Sequence, residues 1–272
     1  MKDSVQRSLP KADPPRAEAY SVQLVSDPKR LRVSISSWKE KGIVHGFSTR
    51  RVLITPKDFY EKTRFDAAKE FCQTLKIPLE QLILPNQVHS SHIASVSDKI
   101  VGRMKLFPDC DGLMTRSKNI AIGVLSADCV PLLFYVPSSQ TIAAAHAGWR
   151  GLQKELPRKM IEQLVKFASA DPKEILIAIG PCIRFCCYEV KQDVANYFSS
   201  RGDPSDRPYC SSKNGKIYLD LVQIATQQLQ ERGVSIEQIA DTGLCTSCRN
   251  EDFFSYRLEG EKSGRILSVI SL

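Results

Sequence analysis

Cys129 and His146 are the pair whose side chains are best suited to chemistry in the segment DCDGLMTRSKNIAIGVLSADCVPLLFYVPSSQTIAAAHAGWRG, residues 109–151. A thiol and an imidazole held within reach can share a metal ion, or work as a nucleophile and its base. The chain has four histidines in all, His45, His89, His92 and His146, and none forms a His-x-His pair. That count rules out the many-histidine centre of a blue multicopper oxidase. A smaller site fits: His89, in the run Gln87-Val88-His89, could add a third donor to Cys129 and His146. Three protein ligands and one open position are the arrangement of a catalytic zinc.

The elements around these residues must bring them together. Ile120 to Leu125 reads as a strand, Ser126 to Cys129 as a polar corner, Val130 to Val136 as a strand, and Thr141 to Ala145 as another. Pro137-Ser138-Ser139-Gln140 supplies the turn chemistry of a hairpin between the last two. Cys129 and His146 are then expected at the same end, opposite to within a residue or so of register, with Cβ atoms roughly 4.5–5.5 Å apart if directly paired. If the run Leu82 to Val96 is one strand, His89 and His92 point to opposite faces, so only one can serve the site. Asp128 is a candidate general base or ligand-orienting group. As the strand neighbour of Cys129 it should point away unless the corner is bulged.

Further along the chain, Pro56 to Leu75, Leu152 to Ala168 and Leu219 to Arg232 have helical apolar spacing. Gly233 is placed to close the last of these. Cys72 lies on an apolar helix face and reads as core. Ile35 to Trp38 reads as a strand edge, Ile43 to Arg50 as a strand ending in a loop, and Ile175 to Ile179 as a buried strand stopped by Gly180-Pro181. The polar, proline-containing residues 1–19 read as a disordered tail. Residues 20–272 show no internal repeat or linker, which predicts a single α+β domain: mixed, largely antiparallel sheets flanked by helices, with the metal site at the end of a central hairpin.

Composition narrows the function classes. Hydrophobic residues at 42% and charged ones at 25% are ordinary for a soluble globular protein. No apolar run has the length of a membrane span, and the N-terminus lacks a signal-peptide centre, so a cytoplasmic location is expected. The nine cysteines are scattered and odd in number, which reads as thiols or metal ligands in a reducing compartment. A net charge of +8 suits a phosphate-bearing ligand, although the basic residues are spread out. Two tryptophans and no aromatic-basic repeat argue against nucleic-acid binding. Cys245-Thr246-Ser247-Cys248 is a C-x-x-C without a second such pair; Cys182, Cys186 and Cys187 do not provide one, so no zinc ribbon is expected.

The wording of several segments resembles one family. QVH at His89, ADCVP at Cys129, HAGWRG at His146, HGFSTR ending in Arg50, IGPCI with CYEV around Tyr188, and LCT with FFSYR around Arg257 are similar to the laccase-domain, or polyphenol oxidase, family, whose members are better regarded as purine nucleoside phosphorylases. The resemblance runs from about His45 to the C-terminus. It implies that His89, Cys129 and His146 bind Zn²⁺, with Cu²⁺ as a substitute. It implies phosphorolysis of adenosine, inosine, guanosine or methylthioadenosine to the free base and ribose 1-phosphate, together with adenosine deaminase activity. Arg50, Cys129, His146 and Asp128 are the implied catalytic set, with His45, Arg150 and Arg257 binding substrate, in a monomer or small homo-oligomer. Two departures stand out: Arg51-Val52-Leu53 follows Arg50 where relatives carry a Gly/Ser-rich segment, and Leu258 stands where a second arginine is common. Two other readings of the residues remain, a metal-free Cys129–His146 hydrolase or amidase acting on peptidoglycan precursors and a non-enzymatic scaffold.

Overall fold

Alternation of apolar side chains along the strands determines how this chain layers. The computed structural model describes residues 24–26, 29–55, 66–97, 105–199 and 209–272. The expected tail at 1–19 and the first half of the expected helix at 56–75 lie outside the described residues. The other half forms Asp66–Thr74.

One sheet has seven strands, in the order Leu24–Ser26, Arg32–Ile35, Val44–Ser48, Ile266–Ser271, Ala121–Ser126, Leu82–Asn86 and Lys105–Asp109. A second has six, in the order Ile239–Asp241, Leu176–Ile179, Val130–Val136, Thr141–Ala147, Gly112–Thr115 and Ile93–Ser95. A small sheet of Glu189–Val190, Lys216–Leu219 and Cys210–Lys213 lies beside them. Pairing is mostly antiparallel; Leu82–Asn86 is parallel to both its neighbours, and each edge pair of the six-stranded sheet is parallel. The fold is thus α+β with mixed sheets.

Period-2 alternation gives each sheet two apolar faces. In the hairpin, Leu133, Ile142 and Ala144 face Ile122, Val124 and Ile270 of the other sheet. The alternate residues Leu132, Phe134 and Ala145 pack against Met160 and Leu164 of the helix Leu156–Ala168 and against Ile224 of the helix Leu221–Gln230. Beyond the first sheet, Leu267 and Val269 cover Phe71 and Cys72 of the helix Asp66–Thr74. The result is four layers, helix, sheet, sheet, helix, and each fully buried Leu or Phe contributes about 1.5–3 kcal/mol.

Where elements differ from expectation, the cause is local. Residues 152–168 do not form one helix: Trp149–Gln153 and Leu156–Ala168 are separated at Glu155, which has φ 60°. Pro157 has no N–H and its ring would strike the carbonyl four residues back, so it tolerates only a helix start. Ile35 ends a strand, and Ser36–Glu40 turns into a short helix that buries Trp38. The helix at 219–232 is Leu221–Gln230, begun by the Asp220 side chain accepting from the Gln223 N–H, with Gly233 at φ 87° beyond its end. Among the described residues no helix is long and apolar enough to cross a membrane.

Candidate metal centre at the end of the hairpin

Strand register sets the site. The expected hairpin is present, and Thr141–Ala147 runs through His146. His146 pairs with Pro131 and Ala147 with Val130. One further step sets Cys129 against Gly148, so Cys129 and His146 are diagonal neighbours, two positions apart in register, and not directly opposed. They nevertheless share a face: His146 has the parity of Ile142 and Ala144, which face the layer between the sheets. Gly148 is needed at this approach. A Cβ there would stand 2.7 Å from the Cys129 Sγ and 3.5 Å from the His89 ring.

His89 arrives differently from the way strand alternation predicts. The strand stops at Asn86, and the chain then crosses to the other sheet, where it resumes at Ile93–Ser95. His89 lies in this crossover with φ 56°, a left-handed conformation that a histidine adopts only when its surroundings enforce it. Gln87 anchors one side, giving its amide to the Leu125 carbonyl and accepting the Leu125 N–H, both at 2.7 Å. His92 is turned to the Asp109 carbonyl at 2.9 Å, as befits a structural role.

The group that fixes both histidines is Asp111, which sequence reasoning passed over. Fully buried, its carboxylate accepts the His146 Nδ1 at 2.9 Å, the backbone N–H groups of Val88, His89 and Ser90, and the Ser90 hydroxyl. Burial pushes its pKa up, but the hydrogen bond and charge of His146, with the Ser90 donors, outweigh this and hold it below the usual carboxylate range. The available signal was an aspartate at the foot of the apolar strand Gly112–Thr115, a place where a buried charge must have partners. With Nδ1 committed to Asp111, the other nitrogen of His146 is left for Cys129 or a metal, the carboxylate–histidine–metal pattern.

The ligand atoms of His89, Cys129 and His146 all lie within 4.8 Å of one another. The imidazole rings of His89 and His146 are 5.0 Å apart and nearly perpendicular. His146 is buried, and Cys129 is half-buried. Burial alone would raise the Cys129 pKa, yet the His146 charge and hydrogen bonds from His146 and His89 bring it down to about 6. Burial likewise works against a charged His146, but the Cys129 thiolate and Asp111 lift it to about 9. Both shifts act in the direction of a thiolate facing an imidazolium. Two imidazoles and a thiolate, oriented by Asp111 and left clear by Gly148, fit zinc, and copper accepts the same donors.

Asp128 forms the corner with φ 85°, so it does not follow strand alternation. Its carboxylate accepts the Thr246 hydroxyl and the Arg257 N–H, both at 2.6 Å, and burial raises its pKa. It is thereby bound to the C-terminal loops. Arg257 also gives its guanidinium to the Glu189 carbonyl and covers the Tyr188 ring at 5.1 Å. Arg150, exposed, stacks on Trp149 at 4.5 Å. The Tyr188 phenol is raised first by burial and then by the Cys129 charge, while Arg257 and Arg150 act in the opposite sense, so these groups lie within electrostatic reach of one another.

Two expected residues have other partners in this structure. Arg50 donates to the Asn250 carbonyl and to Glu259, and lies 4.9 Å from the centre of the Phe254 ring, so its guanidinium is already held by the segment 250–259. His45 is 2% exposed, accepts the Ile35 N–H at 2.9 Å and bonds the Ile43 carbonyl at 2.9 Å. It pairs with Ile270, four residues along the strand from Ile266, the partner of Ser126. That is roughly 13 Å from the metal end at 3.3 Å per residue. His45 is a core residue and does not line the metal pocket, because its two ring nitrogens satisfy buried backbone groups.

Fold and site together define an α+β protein with a metal-competent two-histidine, one-cysteine centre at the end of a hairpin between two sheets. The chain belongs to the multi-copper polyphenol oxidoreductase laccase family, whose model matches residues 62–272. It is 33% identical over 208 residues to a Geobacillus stearothermophilus protein named purine nucleoside phosphorylase YlmD, covering 74% of this chain and 76% of that one. It is 28% identical over 245 residues to a protein of an unknown prokaryotic organism named adenosine deaminase RL5, covering 84% and 93%. The crystal structure of YlmD from Geobacillus stearothermophilus superposes with a TM-score of 0.84 at 26% identity, covering 92% of this chain and 99% of that one.

Proposed function

We propose that this chain is a zinc-dependent purine nucleoside phosphorylase that also deaminates adenosine. The observation that carries the reading is the convergence of His89, Cys129 and His146 on one point, with Asp111 holding both histidines. The names of the relatives support the choice of nucleosides as substrates. A zinc held by these three residues would supply Lewis acidity and an activated water for hydrolysis at a purine carbon.

The chain's own groups account for the rest. Phosphorolysis needs an anion held against the ribose anomeric carbon. Arg257 and Arg150, beside Tyr188 and the Cys129 corner, offer guanidinium donors suited to phosphate oxygens. Arg50 can join them once it exchanges Glu259 for substrate. Asp128, whose pKa burial raises, would exchange a proton with the departing base on release from Thr246 or the Arg257 N–H. Tyr188 offers an aromatic face for the purine.

The test is to incubate the zinc-loaded protein with adenosine, with and without inorganic phosphate, and to identify products by chromatography beside Cys129→Ala. Adenine and ribose 1-phosphate formed only with phosphate, and inosine formed without it, are expected from the intact protein alone. No turnover of adenosine, inosine or methylthioadenosine would overturn the assignment.

The thiolate–imidazolium pair favours one second reading, a metal-free Cys129–His146 hydrolase acting on amide-bearing cell-wall precursors. Metal-stripped protein would then keep its activity and form a covalent adduct at Cys129. Activity that returns only with zinc would exclude it.

A further inference from the structure

Four of the remaining cysteines gather at a second place. Cys186 and Cys187 lie in the turn between Leu176–Ile179 and Glu189–Val190, and Cys245 and Cys248 in the loop after Ile239–Asp241. The strands Leu176–Ile179 and Ile239–Asp241 pair in parallel, so the loops that leave their C-terminal ends meet. Cys182 and Cys245 continue the contact as an isolated parallel bridge. The sequence has no second C-x-x-C pair to make a zinc ribbon with Cys245 and Cys248. The fold instead brings that one pair to two adjacent cysteines, Cys186 and Cys187.

The geometry favours a single ion. The Sγ of Cys186 lies 3.6 Å from that of Cys187, 3.7 Å from Cys245 and 3.5 Å from Cys248, and Cys187 lies 3.3 Å from Cys248. All four sulfurs are within 4.8 Å of one another. Zinc–sulfur bonds of about 2.3 Å in a tetrahedron require sulfur–sulfur edges of about 3.8 Å. The observed edges are close to that value and far from the roughly 2.05 Å of a disulfide. The Cys248 N–H also points at the Cys245 Sγ at 3.5 Å, a donor that favours thiolate.

We propose that Cys186, Cys187, Cys245 and Cys248 form a second, closed metal site that binds one tetrahedral thiophilic ion, zinc by preference. Four thiolates leave no position for substrate, so the ion acts as a staple. It joins the two loops that hold the Asp128 corner: the Ile183 N–H bonds the Asp128 carbonyl at 2.9 Å, and Thr246 bonds its carboxylate. The ion is thereby a positioning element for Cys129, and its binding is independent of the nucleoside chemistry.

The test uses the full chain purified under reducing conditions and reconstituted with zinc, followed by metal analysis and zinc-edge X-ray absorption. Wild type is expected to hold two zinc ions per chain. His89→Ala/Cys129→Ala should hold one, with an all-sulfur shell, and Cys186→Ser/Cys248→Ser one, with a nitrogen–sulfur shell and a lowered Tm. If the serine variant fails to fold, the shell of the alanine variant still decides the matter. A single zinc per wild-type chain in a nitrogen–sulfur shell, no all-sulfur shell in the alanine variant, or a Cys187–Cys248 disulfide found by mass spectrometry under reducing conditions would overturn the assignment.

Discussion

The two sulfur-bearing centres of this molecule are built on opposite plans. At the hairpin end, two imidazoles and one thiol converge, with a buried carboxylate holding the His146 ring and the His89 backbone, and the ligand count leaves a position open. Beside it, four thiols from two loops close on themselves, with Cys186 and Cys248 at the surface. An open mixed-donor site can activate a substrate, whereas a closed tetrathiolate can only hold chain segments together. The difference shows where strain is invested. His89 at φ 56° and Asp128 at φ 85° flank the open site, while none of the four clustered cysteines has a positive φ.

The contrast breaks most directly at Cys129. Cys129→Ala removes a ligand and the thiolate together and should lower turnover of adenosine at least about 100-fold, because the metal would lose its only sulfur donor there. Retained turnover in steady-state assays would place the chemistry elsewhere. Asp111→Asn keeps the size of the side chain but loses the charge that orients His146, and should weaken zinc binding at the open site by about 10–100-fold. Competition with a chromogenic chelator reads this, and the tetrathiolate site should be unaffected.

Gly148→Ala sharpens the comparison by steric means. Its φ of −75° suits any residue, so the penalty comes from the 2.7 Å approach to the Cys129 Sγ. Overpacking of this kind costs about 1–3 kcal/mol, to be read as a lowered Tm with weakened zinc binding. An unchanged Tm and affinity would show that the ligand loop yields freely.

A histidine outside both centres leaves the site chemistry untouched and bears on stability alone. Burial lowers the His45 pKa from 6.5 to about 4, with the Arg32 charge helping and the Ile43 hydrogen bond opposing. Its folded pKa lies below its unfolded one, so the stability it supports is complete above pH 6.5 and is lost as pH falls through about 4. The full loss is about 3 kcal/mol at 1.36 kcal/mol per unit. Urea midpoints at neutral and acid pH should fall more steeply in wild type than in His45→Gln, and parallel profiles would refute the assignment.

How much could be read in advance depended on whether a residue's place follows from its neighbours in sequence. The hairpin was legible because Val130 to Val136 and Thr141 to Ala145 carry period-2 apolar runs around a polar turn, and this brings Cys129 and His146 to one end. The diagonal register was not, because the last pair depends on Gly148 allowing close approach. His89 was legible as a candidate from the run Gln87-Val88-His89, but the strand alternation used to separate it from His92 does not apply, since that strand ends at Asn86. Asp111 escaped notice because its role rests on contacts to residues 21–35 positions away. The cysteine cluster escaped for the same reason, since 61 residues separate Cys187 from Cys248. Arg50 and His45 were singled out by their motif, yet the structure commits the first to Glu259 and the second to backbone.

The central claim is that the open site uses a metal to carry nucleoside phosphorolysis. The most direct measurement strips the protein with a chelator, returns zinc stepwise, and follows phosphate-dependent release of adenine from adenosine. Turnover absent from the stripped protein and rising with zinc occupancy of the His89–Cys129–His146 site is the predicted result. Phosphate-dependent release that persists in metal-free protein, or none at any zinc level, would contradict it.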